Sequence, residues 1–383
     1  MSPVRARPAS AIETRSPGPD RGFALSGTQS LYLRPTGLLS GAAAMAARDA
    51  KLALPLAGGP FAFTGCEVLR RDPEGTRREL LPLAELERHA RGTGEDSRLI
   101  QSILATLASP RPPFAGLGLE RPRVMGIVNV TPDSFSDGGD HPTPEAAIAH
   151  GKALVAAGAE IVDVGGESTR PGAEPVSSAD ERARTVPVVE GLARAGAMVS
   201  IDTRRAAVMA AALDAGAALV NDVTALSSDP ASLALVAARG VPVVLMHMRG
   251  EPRTMQDDPR YDDVALDVFD YLAGRVAACV ASGIPRARIA IDPGLGFGKS
   301  FAHNHQLLER LALFHGLGCA LLVGASRKSF TAGAAKLAPK ARLGGSLAAA
   351  LAALGQGAQI LRVHDVAETR QAIEIWRGAQ GLG

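Results

Sequence analysis

Polar side chains recur at the ends of short apolar runs through the last two thirds of the chain. The first run, 124–130, contains Asn129 near its end and leads into a segment that holds Asp133, Asp137 and two glycines. A purely structural strand would favour Val or Ile at the position of Asn129. The later runs are followed by Gly165–Arg170, Asp202-Thr203-Arg204, Asn221-Asp222, Met246-His247-Met248, Asp292–Lys299, Gly324–Ser329 and Arg362–Asp365.

One group of these residues is suited to a nitrogen heterocycle. Asp202, Asn221 and Asp292 supply two carboxylates and an amide after three different runs. A carboxylate accepts two parallel N–H bonds, so it matches the N–C–N edge of an aminopyrimidinone ring.

A second group is suited to an anion. Arg170, Arg362 and His364 are cations or donors, and Thr169 adds a hydroxyl. Guanidinium groups favour phosphate and pyrophosphate. Asn129 offers a neutral oxygen that could bind Mg²⁺ together with phosphate oxygens, since this ion commonly keeps few protein ligands. A heterocycle that bears a diphosphate fits both groups.

Each feature taken alone also has a structural explanation. Asp202 and Asn221 could cap helices, Arg362 could pair with Asp365 on the surface, and His247 could be a buried core histidine. All eight runs, however, end in polar or charged residues. This coincidence favours one shared site.

The elements that would position these residues alternate strictly from about residue 121. The predicted strands are 124–130, 160–164, 198–201, 218–221, 242–246, 289–291, 320–323 and 359–363, and the predicted helices are about 144–157, 179–195, 204–215, 230–239, 262–283, 303–314, 342–356 and 366–377. Their number and the span of about 260 residues match the α/β class and a (β/α)8 TIM barrel, whose active site lies at the carboxyl ends of its strands. A doubly wound sheet is the alternative, but it usually has fewer strands, and no G-x-G-x-x-G follows the first run.

The first third of the chain lacks this alternation. Residues 1–24 hold arginines among Pro, Ser and Gly and predict a disordered tail. Residues 25–110 predict a small α+β extension of unknown role, with strands near 30–33, 52–56 and 61–64, a turn at 72–75 and a helix capped by Asp96. Residues 111–120 predict a Pro-rich linker, a boundary that few contacts cross. Residues 121–383 predict the barrel.

Composition excludes several classes of protein. Hydrophobic residues make up 46% of the chain, enough for a sizeable core, and the formal net charge of +2 argues against nucleic-acid binding. Cys66, Cys279 and Cys319 are far apart, which indicates a reducing compartment and neither a disulfide framework nor a zinc site. Because no apolar run approaches the roughly 18 residues of a membrane span and no secretory signal is recognisable, we expect a cytoplasmic protein without a membrane partner.

Eight segments resemble, in order, the motifs of the dihydropteroate synthase family of pterin-binding (β/α)8 barrels. They are 125–139 (MGIVNVTPDSFSDGG), 166–172 (GESTRPG), 200–203 (SIDT), 220–222 (VND), 245–248 (LMHM), 292–299 (DPGLGFGK), 324–329 (GASRKS) and 362–365 (RVHD). The resemblance covers roughly 121–380, and it is specific because several long motifs agree. The usual chain of this family is nearly all barrel, so the first 120 residues are a departure from it.

The resemblance implies a function and a set of roles. The implied reaction joins 6-hydroxymethyl-7,8-dihydropterin diphosphate to p-aminobenzoate, releases pyrophosphate and forms 7,8-dihydropteroate for folate synthesis. It implies small-molecule substrates, a Mg²⁺ cofactor and a homodimer, with sulfonamides competing for the p-aminobenzoate position. The implied roles are pterin binding by Asp202, Asn221, Met246, Asp292 and Lys328; metal binding by Asn129; anion binding by Thr169, Arg170, Arg362 and His364; p-aminobenzoate binding by Phe297 and Ser329; and catalysis by Asp137, Arg170, Lys328, Arg362 and His364.

Two other functions compete with this one. A corrinoid-type methyltransferase on the same pterin-binding barrel would keep the deep carboxylates but would not need Arg170, Arg362 and His364. A catalytically silent barrel that binds partners through residues 25–110 would be expected to have an eroded site, and every motif residue is present here.

Overall fold

The protein folds into a parallel barrel preceded by a small α+β unit. The computed structural model describes residues 30–131, 143–168, 175–251 and 254–383. The predicted tail at 1–24 lies outside the described residues. Among those residues, no helix is both long and apolar enough to cross a membrane.

Eight parallel strands close the barrel, which confirms the predicted (β/α)8 fold. They are β5 (Arg123–Asn129), β6 (Ile161–Gly165), β7 (Val199–Asp202), β8 (Leu219–Asp222), β9 (Val243–Met246), β10 (Ile289–Asp292), β11 (Ala320–Val323) and β12 (Ile360–Val363). Each strand pairs with the next, and β12 pairs with β5 to complete the ring. Closure leaves the barrel without an open sheet edge.

Helices follow the strands in the predicted order. They are α4 (Pro144–Ala156), α5 (Ser178–Arg194), α6 (Ala206–Asp214), α7 (Ser232–Arg239), α8 (Val264–Ala281), α9 (Phe301–Glu309), α10 (Leu343–Gly355) and α11 (Val366–Ala379). The helix predicted at 303–314 is wrong at its carboxyl end. It stops at Glu309, and a 3₁₀ turn continues over Leu311–Leu317.

The apolar residues of the strands divide between two layers because successive side chains point to opposite faces. One set, including Val128, Val164 and Ile201, packs outward against the helices. The other set, including Met125, Ile161, Leu219 and Val244, points inward and fills the base of the barrel. A filled base leaves only the opposite end, where the strands finish, for a ligand.

The segment predicted as a linker plugs this base. Phe114 and Leu119 are 1% and 7% exposed and pack into the inward-pointing layer, and Phe114 pairs with Leu117 in a short β-bridge. Arg111 donates hydrogen bonds to the backbone oxygens of His315 (2.7 Å) and Cys319 (3.2 Å). The segment therefore belongs to the core of the barrel as well as connecting two units.

The amino-terminal unit is a four-stranded antiparallel sheet covered by helices. Its elements are β1 (Ser30–Leu39), α1 (Gly41–Asp49), β2 (Leu54–Pro55), β3 (Ala62–Asp72), β4 (Gly75–Pro82), α2 (Leu83–Ala90) and α3 (Glu95–Ala108). The strands predicted at 30–33 and 61–64 extend further than expected, while the one predicted at 52–56 is reduced to two residues. Asp96 does not cap α3, since Gly94 occupies the N-cap position and Asp96 lies in the first turn.

The expectation of few contacts between the two units is wrong. The hydroxyl of Tyr32 on β1 donates to the carboxylate of Asp270 on α8 at 2.8 Å. Arg71 on β3 pairs with Asp267 at 2.6 Å, and Arg78 on β4 pairs with Asp263 at 2.8 Å. This interface could not be predicted from the sequence, because isolated arginines on a polar sheet face are usually exposed to solvent.

Candidate active site

The predicted polar residues that the structure describes lie at the carboxyl ends of the barrel strands. Asn129, Gly165, Asp202 and Asn221 are register partners on β5 to β8, so they lie at one level of the barrel. Met246 and Asp292 are partners in the same way on β9 and β10. This register explains how residues far apart in the chain reach one site.

Arg362 lies at the centre of the site and is held by two carboxylates. Its Nε donates to Asp163 at 2.6 Å, and its Nη2 donates to Asp202 at 2.6 Å. Burial raises the pKa of Asp202 to about 7, with Arg362 opposing this shift and the negative charge of Asp163 adding to it. The surface pair between Arg362 and Asp365 that the sequence allowed is absent, since Asp365 pairs with Arg327 at 2.5 Å.

Asp163 is the residue that sequence reasoning missed. Its side chain is fully buried on β6, and its Oδ2 accepts from Arg362 and, at 3.0 Å, from the Nδ2 of Asn221. Its Oδ1 is buried without a hydrogen-bond partner among the described residues. The predicted site residues lie at or after the ends of the strands, whereas Asp163 lies inside β6. The signal was a lone acid in the apolar run Ile161–Val164, where a charge is tolerated only if it is paired.

Asp292 ends β10 and faces the interior of the site. It is 4% exposed, and its Oδ1 accepts from the backbone N–H of Gly294 at 2.7 Å. Burial raises the pKa of Asp292, while the nearby ammonium of Lys328 opposes the shift. The carboxylate is thus oriented by its own turn and can accept hydrogen bonds from a ligand.

Lys328 approaches Asp292 from the loop after β11. Its Nζ donates to the backbone oxygen of Leu295 and lies 4.0 Å from the ring centroid of Phe297. Burial lowers the pKa of Lys328 to about 7, and the positive charge of Arg362 lowers it further while Asp292 raises it. Lys328 can therefore act as a hydrogen-bond donor that changes its protonation near neutral pH.

His247 is a core histidine, in keeping with the structural explanation. It is 6% exposed, and its Nδ1 lies 2.9 Å from the Nζ of Lys299. Burial and the charge of Lys299 lower the pKa of His247 to about 2, so the ring is neutral and its Nδ1 accepts.

Lys299 fixes the shape of the loop that follows β10. It is 2% exposed and donates to the backbone oxygens of Gly294 (2.8 Å) and Phe297 (3.0 Å). Gly294 has a φ of +70°, and a Cβ there would collide with the backbone oxygen of His247. Burial lowers the pKa of Lys299 well below its usual value. The loop therefore depends on hydrogen bonds from a buried lysine side chain and on a glycine.

The remaining predicted residues fall into two sets. His364 is half-buried after β12, and its Nδ1 lies 3.0 Å from the Oγ of Ser326. Asn129 and Phe297 are also half-buried. Met246 is 4% exposed, whereas Ser329 is exposed. Asp133, Asp137, Thr169 and Arg170 lie outside the described residues. The described residues contain no cluster of three or more His, Cys, Asp or Glu that would hold a metal ion by themselves.

Comparison with known proteins identifies the family of the barrel. The profile of the pterin binding enzyme family matches residues 125–364. The dihydropteroate synthase of Escherichia coli (strain K12) is 49% identical over 260 residues, which is 68% of this chain and 92% of that protein.

Solved structures give the same result. The Yersinia pestis dihydropteroate synthase in a sulfonamide drug complex has a TM-score of 0.66 at 48% identity, over 69% of this chain and 96% of that one. The Xanthomonas albilineans dihydropteroate synthase with 4-aminobenzoic acid has a TM-score of 0.66 at 50% identity, over 70% and 97% of the two chains. With the predicted residues gathered at one end of the barrel and relatives this similar over nearly their whole length, the chain belongs to the dihydropteroate synthase family of pterin-binding enzymes.

Proposed function

We propose that this chain condenses p-aminobenzoate with 6-hydroxymethyl-7,8-dihydropterin diphosphate, releasing pyrophosphate and forming 7,8-dihydropteroate for folate synthesis. The observation that carries the proposal is the buried cluster in which Arg362 joins Asp163 and Asp202 at 2.6 Å each. The proposal is supported because carboxylates suited to a heterocycle and a guanidinium suited to a phosphate group are in direct contact here.

The pterin ring would occupy the deep part of the site. Asp292 and Asp202 accept its N–H groups, Asn221 supplies an amide, and Lys328 donates to a ring acceptor. Met246 lines the cavity as an apolar, polarisable surface. Two buried carboxylates also stabilise positive charge on the ring, which matters because the pterin becomes cationic when its leaving group departs.

The diphosphate would extend toward the rim. Arg362 and His364 donate to it from β12, and Thr169 and Arg170 complete the anion site. Asn129 would hold Mg²⁺ through its amide oxygen, alongside diphosphate oxygens and water. A single protein oxygen fits the way this ion usually binds beside phosphates. The bound ion would supply positive charge that stabilises the leaving diphosphate.

p-Aminobenzoate would stack near Phe297 and Ser329, and the loop that carries Asp137 would close over it. The C–O bond to the diphosphate breaks first, and its electron pair leaves with pyrophosphate. The amine then attacks the CH₂ group of the cationic pterin and releases one proton to water. The arylamine is already a free base at neutral pH, so the reaction needs no strong general base. The protein contributes position and charge stabilisation.

Pyrophosphate release tests this function. The purified chain should release pyrophosphate only when p-aminobenzoate and the pterin diphosphate are both present with Mg²⁺. A sulfonamide should raise the KM for p-aminobenzoate without raising the KM for the pterin diphosphate. Release that does not depend on p-aminobenzoate would contradict the proposal. We also propose a homodimer, which light scattering would reveal as the mass of two chains.

A further inference from the structure

The amino-terminal unit presents two arginines to the start of α8. Arg71 and Arg78 lie on the neighbouring strands β3 and β4. The opposing helix carries Asp263, Asp267 and Asp270, whose spacing of four and three residues places them on one face. A basic sheet face therefore meets an acidic helix face.

The contacts between these faces form a network. Arg71 pairs with Asp267 at 2.6 Å and approaches Asp262 and Asp270 at 3.5 Å each. Tyr32 donates to both oxygens of Asp270, at 2.8 and 2.9 Å. An isolated exposed ion pair stabilises little, whereas several linked charges with good geometry can act together.

Asp263 is the point where this network meets the barrel. Its carboxylate accepts from Arg78 at 2.8 Å, from Arg310 at 2.7 Å, and from the backbone N–H groups of Ala265 and Leu266 at 3.1 Å each. It is therefore the N-cap of α8. The amino-terminal unit thus contacts the residue that determines where α8 begins.

The residues just before α8 hold the loop after β10. Gln256 donates to the backbone oxygen of Gly296 at 2.6 Å, and Tyr261 donates to that of Gly298 at 2.8 Å. These glycines have φ values of +81° and +61° and lie on either side of Phe297. The segment before α8 therefore anchors the backbone on both sides of the ring assigned to p-aminobenzoate.

We propose that the amino-terminal unit braces the segment 254–263 against the loop after β10 and thereby positions Phe297 for p-aminobenzoate. Arg71 and Arg78 are positioning residues in this scheme, since neither reaches the site. The inference rests on the proposed function. It also assigns a role in substrate binding to a unit that contributes no residue to the rim of the barrel.

The test compares two double variants of the full-length chain. Arg71→Gln/Arg78→Gln removes the cations that contact α8. Arg77→Gln/Arg88→Gln is the matched control, because Arg77 and Arg88 are both 64% exposed. Among the described residues, they pair only with acids of their own unit, Asp72 and Glu74 for the first and Glu85 for the second. Both variants lose two charges.

We expect the first variant to raise the KM for p-aminobenzoate by about twofold to thirtyfold, the range that changes in coupled networks produce. The KM for the pterin diphosphate should stay at the value of the control. Equal p-aminobenzoate KM values in the two variants would overturn the inference. A parallel rise in both KM values with a lower melting temperature would also overturn it, because it would indicate general loosening.

If the double variant does not fold, a single-atom change tests the contact between the segment 254–263 and the loop after β10. Tyr261→Phe removes only the hydroxyl that reaches Gly298. It should raise the KM for p-aminobenzoate in the same selective way, and an unchanged value would overturn the inference. A wild-type chain that releases no pyrophosphate would instead refute the proposed function, so the two failures are distinguishable.

Discussion

Replacing Asp163 with asparagine tests whether the charge beneath Arg362 serves catalysis. The substitution preserves the size and shape of a side chain that is fully buried. The new amide oxygen can occupy the position of Oδ2 and accept from both Arg362 and Asn221, while the NH₂ group takes the position of Oδ1, which has no partner among the described residues. The change therefore removes a charge and keeps the geometry.

The expected decrease in kcat follows from the change in the hydrogen bond between Arg362 and residue 163. Arg362 keeps its charge, so its bond to the new amide is still a hydrogen bond to a charged group. Such bonds contribute about 1.5–3 kcal/mol, and losing the charge of the carboxylate moves this bond from the upper to the lower end of that range, a loss of about 1–2 kcal/mol. If Arg362 must be held in place to stabilise the transition state, the same energy lowers kcat about 5- to 30-fold. The KM for p-aminobenzoate should not change, because Asp163 lies at the pterin and diphosphate end of the site.

Asp222→Asn is the control. Asp222 is also a fully buried aspartate, but it accepts from the backbone N–H groups of Thr224 and Leu226 and from the hydroxyl of Thr224. An amide there leaves an N–H facing an N–H, which costs about 1–3 kcal/mol of stability. Pyrophosphate release and denaturant unfolding of both variants separate the roles. If the two variants have the same kcat, the charge of Asp163 contributes to stability and not to catalysis.

Four further predictions concern single residues. His364→Ala should cost about 2–4 kcal/mol of transition-state stabilisation, by analogy with a lost oxyanion donor, with an unchanged melting curve; near-normal turnover would remove it from the anion site. Asp292→Asn should weaken pterin binding in calorimetry by about 1–3 kcal/mol, because one ring N–H loses its acceptor; equal affinity would leave Asp292 as a turn residue. The kcat/KM for the pterin diphosphate should peak near pH 7, because Asp202 becomes the accepting carboxylate over the same pH range in which Lys328 loses its proton, and Lys328→Arg should move only the decrease on the alkaline side to higher pH. Phe114→Ala should lower the free energy of unfolding by about 3–5 kcal/mol, whereas Phe301→Ala, at a side chain 53% exposed, should not.

The barrel and most of its rim could be predicted because both depend on local patterns. Apolar runs of four to seven residues alternate with helical stretches, and a closed parallel barrel brings all strand ends together. Asp202, Asn221 and Asp292 were therefore predictable from their place at the end of a run. Their register at one level follows from pairing between neighbours, which sequence order already implies.

The parts that could not be predicted depend on contacts between distant residues. Lys299 in a glycine-rich loop has the appearance of a solvated or phosphate-binding lysine, and only the fold shows that it ties Gly294, Phe297 and His247 together. Phe114 lies among prolines, which indicate a linker, and its burial depends on the base of a barrel formed by later residues. The amino acids next to a residue in the chain do not predict which distant residues will pack against it.

The position of Arg362 shows how one cluster could stabilise charge at both ends of the substrate. Two of its five N–H donors are used by Asp163 and Asp202, and the others can bind the diphosphate without breaking those bonds. With two carboxylates beside it, Arg362 contributes little net positive charge, so in the proposed binding mode the attraction of the diphosphate would come largely from the other donors. In the proposed binding mode, positive charge would grow on the pterin beside the carboxylates, and negative charge on the diphosphate beside the guanidinium, as the C–O bond breaks. An ion pair held next to both developing charges would stabilise them without reorganising, and such preorganisation is usually the largest contribution to electrostatic catalysis.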